Sequence, residues 1–175
     1  MSQDESRLPA RLFFGYLVAT GLGSGYMRPA PGSWGSAAAL LIAVVALPVI
    51  GPAGLLAAVA AGFLIGLPAV RIVEAHEEAH DPPHVVVDEF CGQWLAYWIV
   101  LWIAERGGFA GLDAINGAIA AFVSFRLFDI AKPWPVSLLE RRKGAVFTLL
   151  DDMLAGALAG LAVGVLAHLA RLVLA

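Results

Sequence analysis

Between Ser36 and Val70 the chain runs for 35 residues without a charged side chain. A helix needs about 20 apolar residues to cross the hydrocarbon core of a bilayer, so this run suffices for two crossings. LPVIGPAG, Leu47 to Gly54, carries the proline and glycine punctuation expected of a turn between them. Such a stretch leaves a chain of 175 residues little choice but to fold as helices in a membrane. Composition agrees. Hydrophobic residues make up 60%, charged residues 14%, and the mean hydropathy is +0.81, against about 25% charged in ordinary soluble proteins. So little polar surface cannot cover a globule of this size in water.

Three further spans are predicted. The first is roughly Phe90 to Ala104, where Trp94, Trp98 and Trp102 recur every four residues; the others are Phe109 to Phe128 and Met153 to Leu174. Leu12 to Leu22 is too short to span and is expected at the interface or inside the bundle. The expected fold class is all-α, a multi-span membrane helical bundle. Residues 1–11 form a polar N-terminal tail and 12–175 a single helical membrane domain. The mixed-charge start MSQDESRLPAR, and the glycines at 21, 23 and 25 that interrupt the next apolar run, argue against a removable signal peptide. One cysteine, Cys91, excludes an intramolecular disulfide framework and reads as a small apolar helix residue. A net charge of −3 carries no nucleic-acid footprint, so no nucleic-acid partner is expected.

Threading the spans alternately sorts the polar segments. The loops at 23–35, 71–88 and 126–152 fall on one side, with Arg28, Arg71, Arg126, Lys132, Arg141, Arg142 and Lys143. The other side has only Arg106 and Arg171. Positive loops stay in the cytoplasm, which makes the first side cytoplasmic. Asp88–Glu89, Asp129 and Asp151–Asp152 fall at span ends on that same side.

Each acidic doublet starts a predicted helix, so each has two readings: a carboxylate favoured by the helix dipole, or part of a cage for a hard cation. Neither doublet has an adjacent lysine or arginine. FRLFDIAKPWP, Phe125 to Pro135, places Arg126, Asp129 and Lys132 three residues apart, on one face if the helix continues that far. These are either flank charges that snorkel to the headgroups, or two cations holding phosphate oxygens with Asp129 binding metal or orienting one of them. Pro133 and Pro135 stop the helix. GSGYMRPAPGSWGS, Gly23 to Ser36, is either a plain loop or a phosphate cradle of backbone N–H groups and hydroxyls before a helix. His76, His80 and His84 are four apart, but Pro82 and Pro83 break the helix, which favours a solvated helix end over a zinc site.

With GSG…PGSWGS, HDP leading to VVVDEFCGQW, FRLFDIAKPWP and DDMLAG in this order, the chain from about Gly21 to Gly160 resembles the phosphatidylglycerophosphatase A family. The resemblance implies an all-helical fold with one helix surrounded by others. It also implies an enzyme of the bacterial inner membrane that removes the phosphate from a phospholipid substrate, phosphatidylglycerophosphate, and requires Mg²⁺. Carried over by motif, Asp88, Glu89, Asp129, Asp151 and Asp152 are expected as metal ligands or catalytic acids. Arg126 and Lys132 are expected to clamp phosphate, with Ser33 and Ser36 in the approach loop and Asp129 and Lys132 close to the chemistry.

Other phosphatase chemistries lack their residues. Cys91 is followed six residues later by Tyr97 rather than arginine, and neither an Asp-x-Asp nor a Pro-Ser-Gly-His occurs. Metal-assisted attack by water remains, with Glu89 as the expected base. A CDP-alcohol phosphatidyltransferase lacks its expected acidic helix motif here. A small multi-span cation-binding or transport protein is the alternative, and it predicts ionisable residues along the middle of the spans.

Overall fold

The computed structural model describes residues 9–109 and 111–174. These form α1 (Ala10–Ala19), a 3₁₀ turn (Ser24–Tyr26), α2 (Pro31–Glu77), α3 (Val87–Gly107), α4 (Ala114–Ala131), α5 (Val136–Glu140) and α6 (Ala145–Leu174), with no strand among the described residues.

α2 is two helices joined at Gly51, whose φ of 64° and ψ of 178° are non-helical. That backbone region belongs essentially to glycine, and Pro52 follows, so the chain reverses where LPVIGPAG predicts. Contacts with α3 show the reversal. Gly35 and Gly66 pack on Val86 and Val87, while Ala39 and Gly62 both meet Trp94. The two limbs thus descend and ascend beside the same stretch of α3.

α3 is the helix the others surround. α6 runs parallel to it, with Gly156 against the Gly92 backbone, Gly160 against Ile99 and Gly164 against Ile103. Small residues every fourth position let the two main chains touch, the packing that lipid-embedded helices favour. α4 runs antiparallel. The Tyr97 hydroxyl donates to the Ala114 carbonyl at 2.9 Å, and Phe125 reaches Gly92 at the other end. Ala96, Tyr97, Val100, Ala121, Phe125 and Ala155 form the centre of the core.

Three helices, α2, α4 and α6, are long and apolar enough to cross a membrane. α3 is long enough at 21 residues but less apolar, which its enclosure permits: Asp88 and Gln93 are buried in protein rather than set against lipid. Outward-facing residues such as Val45, Leu64, Ile130 and Leu166 are exposed and apolar, the inverse of a soluble bundle. The architecture is an all-α membrane bundle, as expected.

Two predicted boundaries move. α4 starts at Ala114 rather than at Phe109 because Asp113 caps it, its Oδ1 accepting from the N–H groups of Ile115 and Asn116 at 2.9 and 2.8 Å. α6 starts at Ala145, not Met153, so Asp151 and Asp152 lie about two turns inside the helix instead of opening it. A helix-start role for that doublet is thereby removed. Hydropathy ends a span at its first charges, whereas the backbone continues because these carboxylates turn into the bundle.

Candidate active site

Since α3 and α6 run parallel and α4 opposes them, the starts of α2 and α3, the end of α4 and the first turns of α6 meet at one end of the bundle. The backbone decides what meets there. Val87 is the first residue of α3, so Asp88 and Glu89 occupy its first turn, where free N–H groups favour carboxylates. The glycine seam brings Asp152 alongside, for a Cβ on Gly92 would collide with the Phe125 ring and crowd the Asp152 carbonyl. One oxygen each from Asp88, Glu89 and Asp152 consequently lies within 4.8 Å of the others.

α4 supplies the cations. Arg126 Nη1 lies 2.5 Å from Asp129 Oδ2, an i,i+3 pair, and donates across to Ser36 Oγ at 3.2 Å. Ser36, fully buried in α2, donates in turn to the Gly32 carbonyl at 2.8 Å. Gly32 lies directly against both groups: a Cβ there would meet Glu89 Oε1 and approach Arg126 Nη1. Ser33 lies half-buried in the same first turn of α2.

Lys132 departs from the expected single face. The helix ends at Ala131; the Lys132 N–H still bonds the Phe128 carbonyl at 2.8 Å, but Lys132 itself takes a left-handed conformation (φ 40°). A non-glycine residue in that region costs about 1–3 kcal/mol, and such strain gathers at functional sites. The ammonium pairs with Asp151 Oδ2, at 2.8 Å, with Glu140 Oε1 at 3.5 Å. Burial opposes the Lys132 charge, but the bond to Asp151 and the nearby Asp152 and Glu140 outweigh it and hold the ammonium pKa above its ordinary value.

Of the five expected acids, two are therefore committed to cations: Asp129 to Arg126 and Asp151 to Lys132. Among the described residues, Asp88, Glu89 and Asp152 have no ion-pair partner. Asp88 Oδ1, Glu89 Oε2 and Asp152 Oδ2 are buried without a hydrogen-bond partner among the described residues. Three uncompensated carboxylates in a protein interior are costly unless something positive joins them. An all-oxygen donor set is the chemistry of a hard divalent cation such as Mg²⁺, and these residues fit one.

Sequence reading passes over two residues here. Asp81, from the HDP motif, lies on the loop before α3 with left-handed backbone (φ 52°); its N–H donates to Glu74 Oε1 at 3.2 Å. Its surface stays exposed; desolvation and the charge of Asp151 raise its carboxyl pKa, while Lys132 and His80 oppose the rise. Gln93, one turn beyond Glu89 on α3, is fully buried. The signal was available: an amide within a predicted membrane span.

The three spaced histidines do not converge. His80 pairs with Glu74 at 2.7 Å and His84 with Glu77 at 3.1 Å. The His84 ring is stacked between Tyr26 and Tyr16, at 5.3 and 6.1 Å, so this end of the loop is packed rather than freely solvated. Val86 then donates to the Ala19 carbonyl at 2.8 Å. The cluster anchors the segment from which α3 begins.

The family model described as phosphatidylglycerophosphatase A matches residues 17–167. A protein of Haemophilus influenzae named phosphatidylglycerophosphatase A is 34% identical over 141 residues, covering 80% of each chain. A Bacteroides thetaiotaomicron protein named "Putative phosphatidylinositol-3-phosphatase" is 34% identical over 148 residues, 82% of this chain and 87% of that one. The Escherichia coli protein named phosphatidylglycerophosphatase A is 30% identical over 143 residues, 81% of this chain and 76% of its own. No solved structure matches. The matched region holds every residue of the site just described, and the chain belongs to the phosphatidylglycerophosphatase A family.

Proposed function

We propose that this phosphatase hydrolyses the phosphomonoester of phosphatidylglycerophosphate to phosphatidylglycerol and phosphate, with Mg²⁺, at the cytoplasmic face of a bacterial inner membrane. The observation that carries the reading is the meeting of three uncompensated carboxylates with Arg126 and Lys132 at one end of a lipid-facing bundle. A phospholipid monoester keeps its acyl chains in hydrocarbon and its phosphate at headgroup depth. A site at the helix ends meets that phosphate without lifting the lipid from the bilayer. The excess of arginine and lysine in the loops at this end supports the cytoplasmic orientation.

Asp88, Asp152 and one oxygen of Glu89 would hold Mg²⁺, which supplies charge neutralisation at phosphate and a more acidic bound water. Arg126 and Lys132 bind phosphate oxygens and stabilise the charge that builds on them. Asp129 and Asp151 keep those two cations placed before substrate arrives. Glu89 accepts a proton from the attacking water. The water oxygen forms the new bond to phosphorus, the phosphorus–glycerol oxygen bond breaks, and the departing oxygen takes up a proton as the alcohol of phosphatidylglycerol. A cation pathway would require ionisable groups along the spans, whereas these acids gather at one end.

Phosphate release from phosphatidylglycerophosphate by detergent-purified protein tests the reading, with Mg²⁺ and with EDTA, beside Asp152→Asn. Release that needs Mg²⁺ and falls at least about 100-fold in the variant is expected. Undiminished release in EDTA would remove the metal; an inert folded wild type would remove the activity. Phosphatidylinositol 3-phosphate in a parallel arm reads headgroup choice.

A further inference from the structure

Gln93 is fully buried, and neither its Nε2 nor its Oε1 has a hydrogen-bond partner among the described residues. A carboxamide offers two donor hydrogens and an acceptor oxygen. Leucine or methionine would fill the same space in an apolar bundle without leaving those groups unmade. An amide kept there for packing alone has no physical rationale.

Its direction follows from its neighbours. Gly92 faces α4 and α6, meeting Phe125 and the Asp152 carbonyl, while the Trp94 indole donates to the Ala39 carbonyl of α2 at 2.7 Å. The intervening face of α3, which Glu89 shares four residues earlier, looks into the gap between α2 and α4. Arg126 crosses that gap to Ser36. Two more buried atoms without partners belong to residues at the same gap, Glu89 Oε2 and Arg126 Nε.

The acceptors point to the ligand: Gln93 Oε1 and Glu89 Oε2 can only accept, a pair that suits a molecule with two hydrogens to give, which is water, while the Nε2 hydrogens suit a phosphate oxygen. We propose that Gln93 is a positioning residue for the hydrolytic water: its Oε1 accepts one hydrogen while Glu89 accepts the other, leaving the oxygen lone pair free to face phosphorus. Only the proton on Glu89 is transferred; the hydrogen held by Gln93 stays with the oxygen that bonds to phosphorus. The assignment rests on the phosphatase reading above.

Steady-state phosphate release and thermal unfolding in detergent, for wild type, Gln93→Leu and Gln93→Met, test it. Both variants are expected to lose about 10–100-fold in kcat, with KM within about twofold and an unfolding temperature equal to or above that of wild type. Folded variants that keep kcat within about twofold would make Gln93 an ordinary core residue and overturn the assignment. Failure of both to fold would do the same, by showing the amide bonded for structure. An inert wild type would instead remove the phosphatase reading, and this assignment with it.

Discussion

The two ends of the bundle handle charge in opposite ways. At the end away from the site, Asp113, Arg171 and Arg106 each settle on local structure. Asp113 caps α4 through two N–H groups. Arg171 donates to the Gly107 carbonyl at 2.9 Å, and Arg106 lies over Trp102 at 4.7 Å. At the site end the carboxylates exceed what helix ends or ion pairs need: Asp151 and Asp152 lie within a helix, and Asp88, Glu89 and Asp152 have no ion-pair partner among the described residues. Charge at one end stabilises the fold; at the other it is held at the fold's expense. The same substitution logic should therefore give opposite stability effects at the two ends.

The largest expected effect is at the acid triad. Asp88→Asn should lower kcat by about 10³-fold while raising the unfolding temperature by roughly 2–4 °C, the shift that about 1 kcal/mol gives in a chain of this size. Assay and calorimetry on one preparation check both; a drop in both would return Asp88 to a structural role. Next comes Arg126→Lys, which keeps the charge but cannot reach Asp129 and Ser36 with one planar group. It should cost about 10²-fold in kcat/KM, read by phosphate release across a substrate series. Gly156→Val, which drives a side chain into the Gly92 carbonyl, should destabilise by about 1–3 kcal/mol and weaken activity through displaced carboxylates. The smallest effect belongs to the quiet end. Asp113→Ala should lose about 1 kcal/mol of stability and leave kcat unchanged; a kcat loss there would erase the contrast between the ends.

Local rules made much of this legible in the chain. Gly51 and Pro52 mark the hairpin because only that backbone closes it. Every motif acid reaches the site end, because helix direction alternates with each turn. What stayed hidden depended on partners distant in sequence. Arg126 finds Ser36 from 90 positions away, and Lys132 finds Asp151 from a left-handed cap past the helix end. The true start of α6 was concealed because hydropathy treats Asp151 and Asp152 as an end, whereas burial against α3 makes them interior. The enclosed position of α3 came from resemblance; its lower apolarity alone reads equally well as a poor span.

The glycine seam has a consequence for how this site keeps its dimensions. Side-chain interfaces can be refitted, since a larger residue on one helix is offset by a smaller one opposite. Between α3 and α6, main chain rests on main chain at Gly92 and Gly156, and no counterpart remains to shrink. The separation of Asp88 from Asp152 is thus gauged by the thickness of the peptide backbone itself, a ruler that mutation elsewhere in the bundle cannot recalibrate.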